Sequence, residues 1–426
     1  MSLAQKNPLL TSLIAFEALD SRGMPTVGCL AKSNSEISEI ALVPSGASTG
    51  EHEALELRDG DKTRFLGKGV KQACQNIDQK IAPTLIGSDL LDLRGIDRKL
   101  LKLDGTDNKS NLGANATLAA SLACARLGAR VADQPLFKYL RAFLPPTDDQ
   151  FKTPIPLVNV INGGAHATNS LDFQEFMLAP MISDKFSENI RAAAEVFHVL
   201  KKNLAGKKHA TAVGDEGGFA PNLNSSEETL DILCESIELA GYQTGKDIFL
   251  ALDVAASEMY DKDLNCYVFK KSSGEKLSVK DMIKLYQQLA SKYPLISIED
   301  GLAEDDWNGW QELTATLGSK LKIVGDDLFV TNSARLQRGI EQRAANSILI
   351  KLNQIGTVSE TLDTIILASQ NGFSSIISHR SGETEDTSIA DLAVATNAQF
   401  IKTGSVARSE RTAKYNRLLF IEKFLL

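Results

Sequence analysis

Six residues capable of acid–base or metal chemistry each follow a short apolar run in the second half of the chain. They are Asp253, Glu299, Asp326, Lys351, His379 and Lys402. From Glu299 onward their spacing is 27, 25, 28 and 23 residues. Apolar runs such as Leu295–Ile298, rich in β-branched residues, predict buried strands. A charged group inside such a strand would be costly, whereas at the end of the strand it can face a cleft.

Three of the six residues are carboxylates, which points to a metal. Asp253, Glu299 and Asp326 would repel one another unless a cation lies between them. The chain has only five histidines and no C-x-x-C pair, so oxygen ligands are favoured over a zinc site. We therefore expect a hard divalent cation, with Mg²⁺ preferred over Mn²⁺.

Other residues suggest the chemistry that such a metal would serve. Near a metal and other cations the pKa of Lys351 or Lys402 would fall, which permits a lysine to act as a base. Glu216 lies in the glycine-rich segment Gly214–Pro221, which could present it as the opposing acid.

A run of donors completes the predicted site. His379, Arg380 and Ser381 are consecutive, and their side chains suit an oxyanion such as phosphate. The groups together predict removal of a proton next to a carboxylate and loss of a leaving group, with the metal stabilising the enediolate.

The apolar runs and the segments between them predict repeated strand–helix units that position these residues. Amphipathic segments such as Thr357–Gln370 and Ile389–Asn397 fill the gaps between the apolar runs. Such repetition implies a parallel sheet. Six units, with earlier strands at Ile155–Ile161 and Asp172–Ala179, make eight strands, which can close a barrel. In such α/β barrels the active site lies at the carboxyl ends of the strands.

Residues 1–144 predict a separate α+β capping domain, and residues 145–426 the barrel domain. The boundary rests on the proline-containing linker Leu144–Asp149. In the first domain, Leu13–Leu19 and Thr26–Lys32 read as strands. The segment Val43–Gly50, which contains Ser45, is by composition a surface loop. The alternative is a mobile lid whose hydroxyls reach a metal or phosphate.

Composition narrows the functional classes. The net charge of −8 argues against direct nucleic-acid binding, which needs a basic surface. The odd number of cysteines, five, predicts free thiols in a reducing compartment, so a cytoplasmic location is expected. Neither a secretory signal nor an apolar run long enough for a membrane span is evident.

Several longer motifs closely resemble those of the enolase family, from near the N-terminus to near the C-terminus. The segments that carry the resemblance are Val43–Gly50, Val213–Pro221, Ser297–Gly301, Gly325–Asn332, Ser378–Thr384 and Ile401–Gly404. The resemblance implies an eight-stranded TIM-like barrel that opens with an antiparallel strand pair, preceded by an α+β domain. It also implies reversible dehydration of 2-phospho-D-glycerate to phosphoenolpyruvate, in glycolysis and gluconeogenesis.

The resemblance further implies roles for individual residues and two Mg²⁺ ions per site. Asp253, Glu299 and Asp326 are expected to bind the first ion, and Ser45 to help bind the second. Lys351 is expected to take the C2 proton, and Glu216 to help the C3 hydroxyl leave. Residues expected to contact or line the substrate pocket are His166, Glu175, His379, Arg380, Ser381 and Lys402. From the residues alone, a structural role is the default for His166, and a buried, partnered carboxylate remains open for Glu175.

The family also implies a homodimer or higher homo-oligomer, and a possible second location at the cell surface or outside the cell. Two alternatives remain open. One is another dehydratase or a racemase of the enolase superfamily, and the run from His379 to Ser381 with Ser45 favours a phosphorylated acid over their substrates. The other is a scaffold or binding role in addition to catalysis.

Overall fold

The computed structural model describes residues 7–46, 50–146 and 150–426. The strands in chain order are β1 (Leu10–Leu19), β2 (Pro25–Ser33), β3 (Ser38–Leu42), β4 (Ile155–Asn162), β5 (Glu175–Pro180), β6 (Ile248–Asp253), β7 (Tyr260–Asp261), β8 (Cys266–Val268), β9 (Lys276–Leu277), β10 (Leu295–Glu299), β11 (Lys322–Gly325), β12 (Ser347–Ile350), β13 (Ser374–Ser378) and β14 (Phe400–Lys402).

The α-helices in chain order are α1 (Lys71–Asn76), α2 (Ala82–Leu85), α3 (Leu93–Asp104), α4 (Ala114–Val131), α5 (Leu136–Arg141), α6 (Phe186–Gly206), α7 (Ser226–Leu239), α8 (Ala256–Met259), α9 (Val279–Lys292), α10 (Trp307–Leu317), α11 (Ser333–Gln342), α12 (Leu352–Ile355), α13 (Val358–Gln370), α14 (Ser388–Thr396) and α15 (Ser409–Phe424). Short 3₁₀ turns occur at Phe65–Gly67 and Gly164–His166, and a π-helical turn at Ile77–Ile81 joins α1 to α2. Among the described residues, no helix has both the length and the apolar character needed to cross a membrane.

The chain divides into two compact units. The first comprises Met1–Gln150, Lys351–Ile366 and Arg380–Thr396, and the second comprises the rest. The division into domains 1–144 and 145–426 stays a proposal, and residues 147–149 of the predicted linker lie outside the described residues.

The first unit contains an antiparallel sheet in the order β1-β2-β3. Helix α4 packs against it, and nearly every residue of this alanine-rich helix is buried. Small side chains allow a helix to approach its neighbours closely on all sides, which explains this burial. Two of the three strands were predicted, and β3 was not.

The second unit contains a closed barrel of eight strands, in the order β4-β5-β6-β10-β11-β12-β13-β14. Strand β5 runs antiparallel to both β4 and β6, and the other neighbouring pairs are parallel. The predicted fold class, with its initial antiparallel pair, is therefore confirmed. Strands β7 to β9 form a separate small sheet that the sequence interpretation did not assign.

One apolar layer inside the barrel determines where the polar residues lie. The layer consists of Leu157, Met177, Ala179, Ala251, Val324, Leu349, Ile376 and Phe400. Because side chains alternate along a strand, the residue two positions farther on points to the same side. Asp253, Asp326 and Lys402 each stand two positions after a member of this layer. The barrel strands therefore present these side chains as a polar layer above an apolar floor.

Candidate active site

Three buried carboxylates stand side by side across neighbouring strands of the barrel. Glu175 on β5 is the register partner of Asp253 on β6, and Asp253 is the partner of Glu299 on β10. All three are almost completely buried. The backbone of Ala255 and the amide of Gln174 also donate to Asp253, which fixes the orientation of this carboxylate.

The amine of Lys402 lies among these carboxylates. Its Nζ atom is 2.7 Å from Oδ2 of Asp253, 2.7 Å from Oε1 of Glu299 and 3.1 Å from Oε1 of Glu175. Burial would lower the pKa of Lys402, but the three carboxylates outweigh burial and raise the pKa well above its ordinary value. The sequence predicted that the pKa of a lysine at this position would fall near a metal. The pKa of Lys402 is instead raised, which keeps its amine positively charged.

Asp326 is positioned by the neighbouring strand end. Register pairs Glu299 with Val324, so Asp326 lies two residues farther along on the same side of the sheet. The carboxylate of Asp300 accepts backbone hydrogen bonds from Asp326 and Asp327, both at 2.9 Å. This carboxylate anchors the turn that carries Asp326.

Glu216 is presented by a loop that is attached to the barrel. Phe219 pairs through its backbone with Val160 and Asn162 of β4, and its ring stacks on Phe197 at 4.4 Å. The loop thereby lies along β4. The side chain of Asn159, on the same strand, donates to Oε2 of Glu216 at 3.0 Å.

Glu216, Glu175 and His166 form a compact cluster in which their ligand atoms lie within 4.8 Å of one another. Nδ1 of His166 is 3.6 Å from Oε1 of Glu216 and 3.8 Å from Oε1 of Glu175. Two carboxylates this close cannot both ionise freely. Burial, then the charge of Glu216, raises the pKa of Glu175 well above its ordinary value.

The pKa of Glu216 shifts in the opposite direction. Burial alone would raise it. The groups that outweigh burial are positively charged or imidazole side chains: His166, His379, Arg411 and Lys402. They hold the pKa of Glu216 well below its ordinary value. In this arrangement the pair therefore holds its proton on Glu175.

His379 approaches the same carboxylate from β13, which it directly follows. Its Nε2 atom lies 3.5 Å from Oε1 of Glu216. Its Nδ1 atom lies 2.6 Å from Nη1 of the buried Arg411. The barrel unit thus brings together His166, Glu175, Glu216 and His379, as well as Asp253, Glu299 and Lys402.

Ser45 belongs to the first unit, where it is fully buried. Its hydroxyl donates to Asp20 at 2.6 Å and accepts from Arg22 at 3.1 Å. Its backbone pairs with Gly382. Residues 47–49 of the predicted lid lie outside the described residues, so the lid stays a prediction.

Arg380 and Ser381 lie in the same unit as Ser45. The guanidinium of Arg380 contacts Glu53 at 2.9 Å and the Asn353 side chain at 3.0 Å. The carbonyl of Ser381 accepts a hydrogen bond from the Ser21 hydroxyl. Lys351, the residue after β12, begins the segment that carries Asn353.

The barrel carboxylates fit a hard divalent cation by chemistry and charge. Glu175, Asp253 and Glu299 offer buried carboxylate oxygens, and the one amine of Lys402 does not balance three negative charges. Even when Glu175 is protonated, the two negative charges of Asp253 and Glu299 exceed the one positive charge of Lys402. Hard oxygen donors with excess negative charge suit Mg²⁺. Asp300, Asp326 and Asp327 form a further group with ligand atoms within 4.8 Å of one another.

Some residues around the site were missed by sequence reasoning. Asn159 could have been identified from the sequence, because a polar residue within an otherwise apolar strand needs a buried partner. Asp20, which accepts a hydrogen bond from the Ser45 hydroxyl, was not predicted as part of the site. The sequence gave no indication of Arg411, which lies in a helix with many charged residues. It also gave none of Lys271, which lies between β8 and β9 and donates to the carbonyls of Gly164 and Ala167 beside His166.

Two family models match the chain. The model for the N-terminal domain of enolase matches residues 10–140. The model for the C-terminal TIM barrel domain of enolase matches residues 150–425. The two matches follow each other in the chain and together span nearly all of it.

Proposed function

Because the chain belongs to the enolase family, and so to the lyases of the enolase superfamily, we propose that it reversibly dehydrates 2-phospho-D-glycerate to phosphoenolpyruvate in glycolysis and gluconeogenesis. One observation carries the proposal. Two neighbouring carboxylates, Glu175 and Glu216, have pKa values shifted in opposite directions beside a row of carboxylates held by Lys402. When the environments of two neighbouring carboxylates shift their pKa values apart, one stays protonated and can donate a proton while the other is ionised.

The pair supplies the proton with which the C3 hydroxyl leaves. Glu175 holds this proton in the arrangement described, passes it to the neighbouring Glu216, and Glu216 delivers it to the C3 hydroxyl, which departs as water. Asn159 and His379 keep the Glu216 carboxylate in place. A positioned acid of this type contributes about 10²- to 10⁴-fold to a rate.

The base is Lys351, which takes the C2 proton. Of the two candidate lysines, Lys402 is unsuitable because its three carboxylate neighbours keep its amine charged. A charged amine instead suits the carboxylate of the substrate. Lys351 directly follows β12, and the family resemblance supports its role.

Asp253, Glu299 and Asp326 would hold one Mg²⁺, and Ser45 would help to hold a second. Bound Mg²⁺ would offset the negative charge that develops at the substrate carboxylate. The side chains of Gln174 and Lys402 restrict the orientation of Asp253 before any ion binds. Preorganised ligands reduce the cost of forming such a site.

Arg380 and Ser381 bind the phosphate, and His166 and His379 line the pocket. The contacts with Glu53 and Asn353 fix the plane of the Arg380 guanidinium. A fixed, planar donor fork suits two oxygens of one phosphate.

An apolar face on the first unit supports a homo-oligomer. Register aligns Ile14, Leu30 and Ile40 across the three-stranded sheet, so their side chains point to the same side. Ile14 is 48% exposed and Ile40 is 47% exposed. The five cysteines are free thiols, which supports a reducing compartment such as the cytoplasm.

The direct test follows ultraviolet absorbance after 2-phosphoglycerate and Mg²⁺ are mixed with the full chain. The proposal predicts a rise in absorbance as the conjugated product forms. The rise should disappear when the metal is chelated and return when Mg²⁺ is restored. If absorbance stays constant in metal-replete buffer, the proposed reaction is wrong.

A further inference from the structure

Arg411 is a fully buried arginine on α15, and one of its contacts is with an imidazole. Its Nη1 atom lies 2.6 Å from Nδ1 of His379, and its Nη2 atom donates to the carbonyl of Asp215 at 3.2 Å. A guanidinium has only donors and stays charged in proteins. Nδ1 of His379 must therefore accept this hydrogen bond, and it carries no proton.

The other ring nitrogen then has a defined state. In a neutral imidazole with an unprotonated Nδ1, the hydrogen is on Nε2. Nε2 of His379 faces Oε1 of Glu216 at 3.5 Å. His379 is thereby oriented as a neutral donor toward the carboxylate proposed to act at the leaving group.

The backbone after β14 holds this arrangement together. Gly404 has a φ of +75°, and a Cβ atom there would lie 2.8 Å from both Cδ of Arg411 and the carbonyl oxygen of Glu216. The next residue, Ser405, donates its N–H to that same carbonyl at 2.9 Å. Close packing at Gly404 thus couples the position of Arg411 to the Glu216 loop.

We propose that Arg411 is a positioning residue that locks His379 in its neutral Nε2–H form, so that His379 donates to Glu216. The proposal rests on the proposed function for the role of Glu216. Within the part of the chain that the structure describes, Arg411 on α15 and Glu216 on its loop face the imidazole, and Lys402 on β14 accepts a hydrogen bond from the His379 backbone. Without Arg411, the nearby Glu216 would favour a doubly protonated imidazole, as in an ordinary histidine below about pH 6.5.

The first test is nitrogen-15 spectroscopy of the full chain labelled in its histidines. His379→Gln identifies the signal, since the spectrum has five histidines to distinguish. The expected wild-type signal at pH 5.5 is that of the neutral Nε2–H form. An imidazolium signal, or the Nδ1–H form, would overturn the proposal. This measurement needs no substitution at Arg411, so it decides the point even if variants there fail to fold.

The second test compares Arg411→Met with Arg411→Lys. The methionine variant removes the donor, so His379 should become protonated at pH 5.5, and kcat/KM should fall about tenfold between pH 7 and 5.5 beyond any fall in wild type. The lysine variant keeps a charged donor and should recover part of the neutral signal. Arg417→Met on the same helix is the matched control and should match wild type.

The outcomes separate this inference from the proposed function. If 2-phosphoglycerate is not dehydrated at all, the proposed function fails, while the histidine spectrum still decides the tautomer. If Arg411→Met keeps the neutral Nε2–H signal and the wild-type pH profile, Arg411 does not position His379.

Discussion

The Nζ atom of Lys402 lies 2.7 Å from Oδ2 of Asp253, so a buried lysine already contacts a carboxylate that we propose as a metal ligand. The same amine reaches Glu299 and Glu175. Breaking a buried ion pair leaves an uncompensated charge, which costs about 3–5 kcal/mol. Lys402 is therefore expected to stabilise the barrel as well as to bind substrate.

Replacement of Lys402 by Met should make the chain depend on Mg²⁺ for stability. Without the amine, the ionised carboxylates of Asp253 and Glu299 would repel each other, and a divalent cation should relieve that repulsion. Thermal unfolding with and without Mg²⁺ measures the effect. The increase in Tm caused by Mg²⁺ should be larger in the variant than in wild type. Lys322→Met is the control, and equal increases in all three proteins would contradict the prediction.

Replacement of Asp97 by Asn should remove a pH-dependent loss of stability from the first unit. Burial raises the pKa of Asp97 to about 6 from 3.8, although its carboxylate accepts a hydrogen bond from the Ser359 backbone. Between these values the folded chain binds more protons than the unfolded chain, so stability falls as pH rises from about 4 to 6. At pH 7 the free energy of unfolding is therefore lower by about 3 kcal/mol than it is below pH 4.

Urea unfolding of wild type and Asp97→Asn at pH 4 and pH 7 measures this effect. From pH 4 to pH 7, the free energy of unfolding of the variant should rise by about 3 kcal/mol relative to that of wild type, because Asn does not titrate. Asp92→Asn, an exposed position at the start of the same helix, should show no such gain. A pH-independent difference between wild type and Asp97→Asn would refute the assignment.

Replacement of Lys271 by Met should loosen the segment that carries His166. The amine of Lys271 donates to the carbonyls of Gly164 and Ala167, at 2.5 and 2.8 Å. Its loss should speed amide hydrogen exchange near residues 163–169 and lower kcat/KM by roughly 10- to 100-fold. Lys276→Met in the same hairpin is the control. Unchanged exchange in the Lys271 variant would show that the contact does not order the segment.

Replacement of Ile14 and Ile40 by Glu should weaken self-association. Both side chains are exposed on one face of the sheet, and charged residues are unfavourable at the centre of an interface. Sedimentation at micromolar concentration should show an oligomer for wild type and a shift toward monomer for the double variant. Ile86→Glu alters another exposed isoleucine and should retain the wild-type mass. Equal masses for all three would place the contact elsewhere.

Much of the barrel followed from the sequence because apolar runs with polar ends repeat at nearly regular spacing. Strand ends at Asp253, Glu299 and Lys402 were predicted correctly, as was the antiparallel start of the barrel. Shorter elements were missed, including β3 and the small sheet β7–β9. The barrel strands β10 to β14 are equally short, but each is an apolar run with a polar end in a regular series; β3 and β7–β9 belong to no such series and are too short for alternation to be recognised.

The contacts within the site depended on tertiary structure. The sequence predicted Glu216 as an acid on a glycine-rich loop but could not show that Glu175 would hold the proton. The pKa of each carboxylate depends on burial and on charges from distant parts of the chain, such as Arg411. The same holds for Lys402, whose amine lies among three carboxylates that no spacing rule brings together.

The most direct test of the central claim is exchange of the C2 proton of 2-phosphoglycerate with solvent deuterium, in Lys351→Ala and Glu216→Gln. The Lys351 variant should lose exchange, since the base is gone. The Glu216 variant should retain exchange while dehydration falls by roughly 100-fold or more. Lys320→Ala should behave as wild type. Exchange that persists in Lys351→Ala, or that disappears equally in both variants, would contradict the assignment of base and acid.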